Sequence, residues 1–319
     1  MLLQRIITAL ILVPLVVLAV FQLPSEYFSL LIGIITLLAA WEWTNLVGIN
    51  SLFKRGLFLL ALILPMVWLQ FWTQFLEILA HVLELSVQRL GGITKEADLT
   101  TISSYLETVD LPDLREYSGI LEWLVIPPVL FWILVMILIR NTPAAVLKLE
   151  MRVRYKALIG WFVLFSTWMF LTRLRTFYGT ELTLYFLILI WAADIAAYFT
   201  GKKFGKIKLA PEISPGKTVQ GMYGALVAGG VWAAAFIGYY SYRDGFIWMR
   251  VSDFVLLSVL TVLISIYGDL FFSVVKRQRG VKDTGSILPG HGGILDRIDS
   301  LIAAIPFFYA GIVVIGLMS

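Results

Sequence analysis

The sequence predicts an all-α protein: a polytopic transmembrane bundle of about nine spans, N-terminus cytoplasmic and C-terminus outside. Three observations carry this prediction. First, of 319 residues, 60% are hydrophobic and 14% charged, and mean hydropathy is +0.88. Soluble domains carry about 25% charged residues, so this chain has too little polar surface to cover a globule in water. Second, apolar runs recur at lengths near the roughly 20 residues that cross about 30 Å of hydrocarbon. Third, the basic residues alternate between segments, as the positive-inside rule requires.

The candidate spans run near 6–22, 27–46, 57–74, 120–139, 157–172, 182–200, 221–240, 253–273 and 300–318. The first follows Arg5; no small-x-small cleavage pattern follows Phe21, so it reads as a retained helix rather than a signal peptide. The third is edged by Gln70 and Gln74, and the fifth is short. With these spans, 18 of the 25 lysines and arginines fall on one side. They are Arg5; Lys54 and Arg55; Arg140, Lys148, Arg152, Arg154 and Lys156; Lys202, Lys203, Lys206, Lys208 and Lys217; and Lys276, Arg277, Arg279, Lys282 and Arg297. The inner loops are short, where the charge rule is strongest. The expected location is a cell membrane, with these loops facing the cytoplasm.

Two regions follow from this layout. Residues 1–149 form an N-terminal membrane region with an outward-facing polar insertion near 75–119. Residues 150–319 form a catalytic membrane region with cytoplasmic loops at 201–220 and 274–299. Within the insertion, Phe75, Leu76, Leu79, Val82, Leu83 and Leu90 follow helical spacing, which suggests an amphipathic helix on the membrane surface. The plainer reading, a solvated connector, is preferred for it, and His81 reads as a surface histidine.

The chain has no cysteine and only two histidines, His81 and His291. Any metal site must therefore lean on carboxylates. An ionisable residue inside a span is costly, by roughly 2.5–3.5 kcal/mol at mid-depth on insertion scales, and normally faces a polar cavity or a partner. Asp194 and Asp269 each lie near the inner end of an apolar span, just before a loop rich in lysine, glycine and proline. Helix-end snorkelling explains either alone and explains the pair less well. Carboxylates without thiolates suit a hard cation such as Mg²⁺. Lysine and arginine beside them suit phosphate oxygens, and together these are the apparatus of phosphoryl or nucleotidyl transfer. Asp296 and Asp299 stand three apart at the start of the last span, so a helix puts both on one face. Simple N-capping is the alternative for Asp299. Gly216-Lys217-Thr218 resembles the end of a P-loop, but Pro211 stands where the first glycine belongs and no strand is expected before it.

The run SVVKRQRGVKDTGSILPGHGGILDRID, residues 273–299, resembles the signature of the phosphatidate cytidylyltransferase (CDP-diglyceride synthase) family. Ser273, Lys276, Arg277, Lys282, Asp283, Gly285, Pro289, His291, Gly292, Gly293, Asp296, Arg297 and Asp299 all stand at its spacing. The earlier loop is similar to the family at Asp194, Ala197-Tyr198, Gly201-Lys202, Phe204-Gly205-Lys206 and Ile213-Ser214-Pro215. It departs at Gly216, where lysine or asparagine is usual, and at Gln220, where glutamate is usual. The first half of the chain matches in layout, including Trp41-Glu42-Trp43 at the end of the second span.

The resemblance implies transfer of CMP from CTP to phosphatidic acid, giving CDP-diacylglycerol and pyrophosphate. It implies Mg²⁺, alone or with a second cation. The metal ligands would be Asp269 and Asp296, supported by Asp283, Asp299 and Asp194. Lys276, Arg277 and Lys282 would hold phosphates, with Arg297 and His291 in the catalytic group. Lys202, Lys203, Lys217, Thr218, Ser214, Ser273, Gly292 and Gly293 would contact substrate. Expected partners are CTP, phosphatidic acid, membrane lipids and, as an open option, a second copy of the chain, but no nucleic acid. Two rivals stay open: a related CTP-dependent enzyme acting on another lipid, and an ion-coupled transporter. The transporter predicts charges at mid-span and broken helices in matching halves, whereas here the polar residues gather at one face.

Overall fold

Nearly every apolar run becomes a helix, because backbone groups in hydrocarbon must be satisfied within their own segment. A computed structural model describes residues 2–72, 120–244, 251–287 and 292–317. In chain order the helices are α1 (Leu2–Gln22), α2 (Ser25–Val47), α3 (Leu52–Gln70), α4 (Ile120–Trp123), α5 (Ile126–Asn141), α6 (Pro143–Lys148) and α7 (Val153–Phe204). A hairpin follows, β1 (Lys208–Ala210) and β2 (Ser214–Thr218), then α8 (Val219–Asp244), α9 (Val251–Arg279) and α10 (Leu295–Leu317). The protein is an all-α polytopic membrane bundle, with this small antiparallel hairpin as its sheet among the described residues.

Seven described helices are long and apolar enough to cross a membrane, where the sequence predicts nine spans. Two features account for the difference. The expected spans 157–172 and 182–200 lie in one helical element, α7, of 52 residues. At 1.5 Å per residue it would run about 78 Å, far more than one bilayer core. Gly179, at φ 82° and ψ −178°, interrupts it, leaving limbs of roughly 25 residues, each about the length of one crossing. The two limbs lean on adjacent rings of α10: Phe170 and Tyr178 meet Tyr309, and Tyr185 and Phe186 meet Phe308. In α1, side chains are described only from Leu12 onward, and Leu12–Gln22 is a shorter apolar stretch.

The chain divides into two units: residues 1–62 with 125–319, and residues 63–124. In the larger unit α7 packs on α8, α2 and α10, and α9 packs on α10, α8 and α5. Large aliphatic residues such as Leu57, Leu60, Val227 and Val231 face outward, as a lipid-facing surface requires. In the smaller unit the rings of Trp68 and Trp72 lie 5.5 Å apart. The amphipathic segment expected within 75–119, with His81, lies outside the described residues.

Three close approaches set the frame of the site. The Gly160 face of α7 receives the Trp43 indole, which leaves no room for a side chain there. Trp43 Nε1 donates to the Lys156 carbonyl at 3.1 Å, and its ring meets Phe271 and Phe272 of α9. The second approach is at Gly201 and Gly221, where α7 and α8 cross closely enough that a Cβ on Gly201 would come 3.6 Å from Gly221 Cα. Small residues allow such packing between membrane helices. The third is at Gly268 of α9, which abuts Ala303 of α10.

Candidate active site

On α9, Asp269, Ser273 and Lys276 follow an i, i+4, i+7 pattern, so one helix face carries all three. Ser273 Oγ donates to Asp269 Oδ1 at 3.3 Å. The other Asp269 oxygen takes Lys217 Nζ at 2.7 Å, and the same ammonium donates to the Ile266 carbonyl at 3.2 Å. Lys217 arrives from β2, so the hairpin delivers its lysine across the face of α9.

The first turns of α10 supply the opposing wall. Lys276 Nζ lies 2.8 Å from Asp296 Oδ1 and 3.9 Å from Asp299 Oδ2. The i, i+3 aspartates therefore share one face, as their spacing predicts. Asp299 is buried and accepts a hydrogen bond from the Ser300 amide at 2.8 Å. Ser300 also hydrogen-bonds to Asp194 of α7. Asp194, Asp269 and Asp299 are near enough to one another to interact electrostatically, with Lys217 and Lys276 among them. Carboxylates removed from water need such counter-charges.

Asp296 is held by more than its lysine. Its Oδ2 accepts from the Thr284 amide at 2.8 Å, the Thr284 hydroxyl at 3.0 Å and the Gly293 amide at 3.0 Å. The same Thr284 hydroxyl lies 2.9 Å from Oε2 of Glu42 in α2. Glu42 is 2% exposed and also accepts the amides of Ile294 at 3.0 Å and Leu295 at 2.8 Å. The glycines of the second loop now have specific reasons. A Cβ on Gly285 would stand 2.6 Å from Glu42 Oε1, and one on Gly293 would overlap both the Thr284 hydroxyl and the Glu42 carboxyl. Gly292 adopts φ +83°, a conformation side chains rarely take, against Asp296 and Asp283.

The first loop is organised by its own caps. Thr218 Oγ1 accepts the Gly221 amide at 3.1 Å, the usual N-cap contact at the head of α8. Gln220 Oε1 accepts the amides of Lys206 and Ile207 at 3.0 and 3.2 Å, closing the exit of α7. The amide oxygen thus does at position 220 what a glutamate oxygen could do. One expectation needs correcting: a strand, β1, does precede Gly216-Lys217-Thr218. That tripeptide is nonetheless extended within β2, and Lys217 is directed at Asp269 rather than into a loop that wraps phosphate.

The remaining predicted residues are distributed around this centre. Arg277 Nε donates to the Ile213 carbonyl of the hairpin at 3.3 Å, tying the two loops together. Arg297 is exposed and close enough to Asp194 to act on it electrostatically. Ser214 opens β2, partly buried, paired with Ala210. Lys282 and Asp283 are exposed on the second loop. Lys202 and Lys203 are exposed at the end of α7, their ammonium groups 5.9 Å and 5.2 Å from the rings of Tyr198 and Phe204. His291 lies outside the described residues. Glu42 and Thr284 were not among the predicted residues. For Glu42 a signal existed: it is a carboxylate between two tryptophans inside an apolar helix, the same costly placement that singled out Asp194 and Asp269.

Among the described residues no three histidine or carboxylate side chains are drawn together tightly enough to hold a metal ion. The donor chemistry still suits a hard divalent cation. Two ammonium groups, Lys217 and Lys276, stand against the carboxylates of Asp194, Asp269, Asp296 and Asp299. The balance is negative, and oxygen is the ligand atom offered throughout.

The sequence model of the cytidylyltransferase family matches residues 3–315. The chain is 35% identical over 315 residues to a protein of Haemophilus influenzae named phosphatidate cytidylyltransferase, covering 97% of each. A protein of the same name from Pseudomonas aeruginosa is 35% identical over 311 residues, 97% of this chain and 96% of that one. One from Bacillus subtilis is 43% identical over 135 residues, 41% of this chain and 47% of that one. The family match runs from α1 to the last turn of α10, so it takes in both loops and every helix that carries a charged residue of the site: this chain belongs to the cytidylyltransferase family.

Proposed function

We propose that this membrane enzyme transfers CMP from CTP to phosphatidic acid. A phosphate oxygen of the lipid attacks the α-phosphorus of CTP, the bond from that phosphorus to the bridging oxygen breaks, and pyrophosphate leaves. The products are CDP-diacylglycerol and pyrophosphate. The observation that carries this reading is the convergence of Asp194, Asp269 and Asp299 with Lys217 and Lys276 at one end of three apolar helices. A water-soluble triphosphate and a lipid phosphate can meet at such a place, the acyl chains staying in hydrocarbon.

The division of labour follows from the side chains. Asp269 and Asp299, with Asp194, would hold Mg²⁺; Asp296 would contribute through Oδ1, the oxygen now paired with Lys276. Bound there, Mg²⁺ supplies charge neutralisation for the triphosphate and the departing pyrophosphate. Lys217 and Lys276 keep the carboxylates compensated and are placed to turn towards phosphate oxygens. Arg277 at the end of α9 and Lys282 on the second loop, both exposed, would suit the outer phosphates. No general base is required, because a phosphate monoester already carries its nucleophilic oxygen as an anion. The loops face the cytoplasm in this reading, which the inner-side excess of basic residues supports.

The test is incubation of the purified protein with phosphatidate, Mg²⁺ and CTP labelled in the cytidine. Label moving into a chloroform-soluble lipid, with one pyrophosphate released per lipid formed, is the expected result. Absence of lipid-soluble label under conditions where the protein is folded sinks the reading.

A further inference from the structure

We infer that Glu42, in the N-terminal half of the chain, is a positioning residue for the reaction, fastening the catalytic loop against α10. This inference rests on the proposed cytidylyl transfer for its kinetic consequence, but its geometry stands alone. Glu42 lies on α2, about 240 residues from the loop it holds, and it is 2% exposed. Its partners are two backbone amides of the α10 entry, those of Ile294 and Leu295, and the hydroxyl of Thr284. A carboxylate at a helix N-terminus meets oriented N–H groups and the positive end of the dipole.

The arrangement is a bracket with two arms. Glu42 takes the amides of 294 and 295; Asp296 takes those of Thr284 and Gly293. The Thr284 hydroxyl, with its single proton, lies between the two carboxylates, its oxygen 2.9 Å from one and 3.0 Å from the other. Residues 284, 294 and 295 are thus pinned by Glu42 of α2, and Gly293 and Thr284 are tied in turn to the Asp296 carboxylate. The other oxygen of Asp296 is the one that meets Lys276. Glu42 therefore fixes where Asp296 presents that oxygen without reaching the reacting atoms. Trp43 locks the same turn of α2 to α7 and α9, so the bracket is rigid at its base.

The experiment uses the full-length protein in detergent or nanodiscs and the variants Glu42→Gln, Thr284→Val and both together. Glutamine keeps the shape but must point an NH₂ group at amides that already donate. Expected is a fall in kcat of about 10- to 100-fold with KM for CTP and phosphatidate changed less than about 3-fold, the mark of lost alignment rather than lost binding. The double variant should lose no more than the worse single one, because both remove the same bracket. Amide exchange at Gly293, Ile294 and Leu295 should quicken about 10-fold or more in Glu42→Gln. Parent-like kcat with parent-like exchange overturns the proposal, as does strict additivity of the two substitutions. Should Glu42→Gln fail to assemble, Thr284→Val decides alone: reduced kcat at constant KM supports the bracket, and unchanged kcat overturns it. Should the parent make no lipid product, the proposed function fails, and the exchange measurement still decides the bracket.

Discussion

Two carboxylate centres lie within a few residues of each other, and they are satisfied in opposite ways. Around Asp269 and Asp299 the partners are ammonium groups on long side chains, Lys217 and Lys276. Around Glu42 they are backbone amides and one hydroxyl. Lysine side chains can swing away and yield their place to a cation or a phosphate; amides of a helix entry cannot. In the proposed reaction the first centre would exchange partners and the second would stay as it is, with Asp296 belonging to both. Its Oδ2 is fixed by amides while its Oδ1 faces Lys276.

The largest effect should come from the exchangeable centre. Asp269→Asn keeps the size and the Ser273 contact but removes the charge. Expected is a loss of about 10³-fold or more in kcat, in the range seen when charge stabilisation at a reacting group is removed. Asp296→Asn should abolish transfer comparably while leaving the protein folded. Turnover within about tenfold of the parent in either variant, measured as label entering lipid, would break the comparison at its first term.

Lys276 joins the two centres, so its loss should rank next. Lys276→Met retains the apolar stem and removes the ammonium that serves Asp296 and Asp299, leaving two little-exposed carboxylates without that partner. Expected is about a 10²-fold loss in kcat/KM together with a lower melting temperature, since breaking a buried pair is strongly destabilising. Added Mg²⁺ should recover part of the melting temperature, because a divalent ion can replace the missing charge. A variant indifferent to Mg²⁺ in a thermal-shift series would argue that this centre is not a cation site.

A packing change sharpens the comparison from the other side. Gly160→Ala forces a methyl into the Trp43 indole. Overpacking of this kind costs about 1–3 kcal/mol, so the melting temperature should fall. The effect on kcat should be smaller than that of Glu42→Gln, because Trp43 holds α2 in place whereas Glu42 holds the loop. Equal kinetic losses would merge the two roles.

Much of this was legible before any coordinates. Hydrophobic composition and span length give the membrane bundle, because the bilayer leaves the backbone few options. The i, i+3 spacing puts Asp296 with Asp299, because helical periodicity is a property of neighbouring residues. What the sequence does not reveal is contact across long separations. Glu42 meets Thr284 over an interval of 242 residues, and no periodicity connects them. The hairpin was hidden too: Lys208–Ala210 and Ser214–Thr218 are too short and too polar to show strand alternation. The lysines also read differently in space. Lys217 and Lys276 looked like phosphate clamps, and in the structure they first serve as counter-charges to aspartates. The break that divides α7 into two limbs falls at Gly179, whose positive φ is a conformational choice that composition alone does not announce.

The smallest expected effect concerns Lys202 and Lys203, exposed at the end of α7 among Tyr198, Phe199 and Phe204, themselves exposed. Their ammonium groups lie over aromatic rings rather than against any of the site aspartates. Aromatic rings beside lysines at a helix end fit the headgroup level of a membrane, where lysine attracts anionic lipid. Replacing both with alanine should raise the KM for phosphatidate in vesicles by roughly 3- to 10-fold, leave kcat at saturation unchanged, and weaken with added salt as screening removes the attraction. If instead kcat falls as far as it does for Lys276→Met, the two lysines reach a substrate phosphate directly in the working enzyme. The boundary between the exchangeable centre and the membrane surface would then have to be drawn beyond the end of α7.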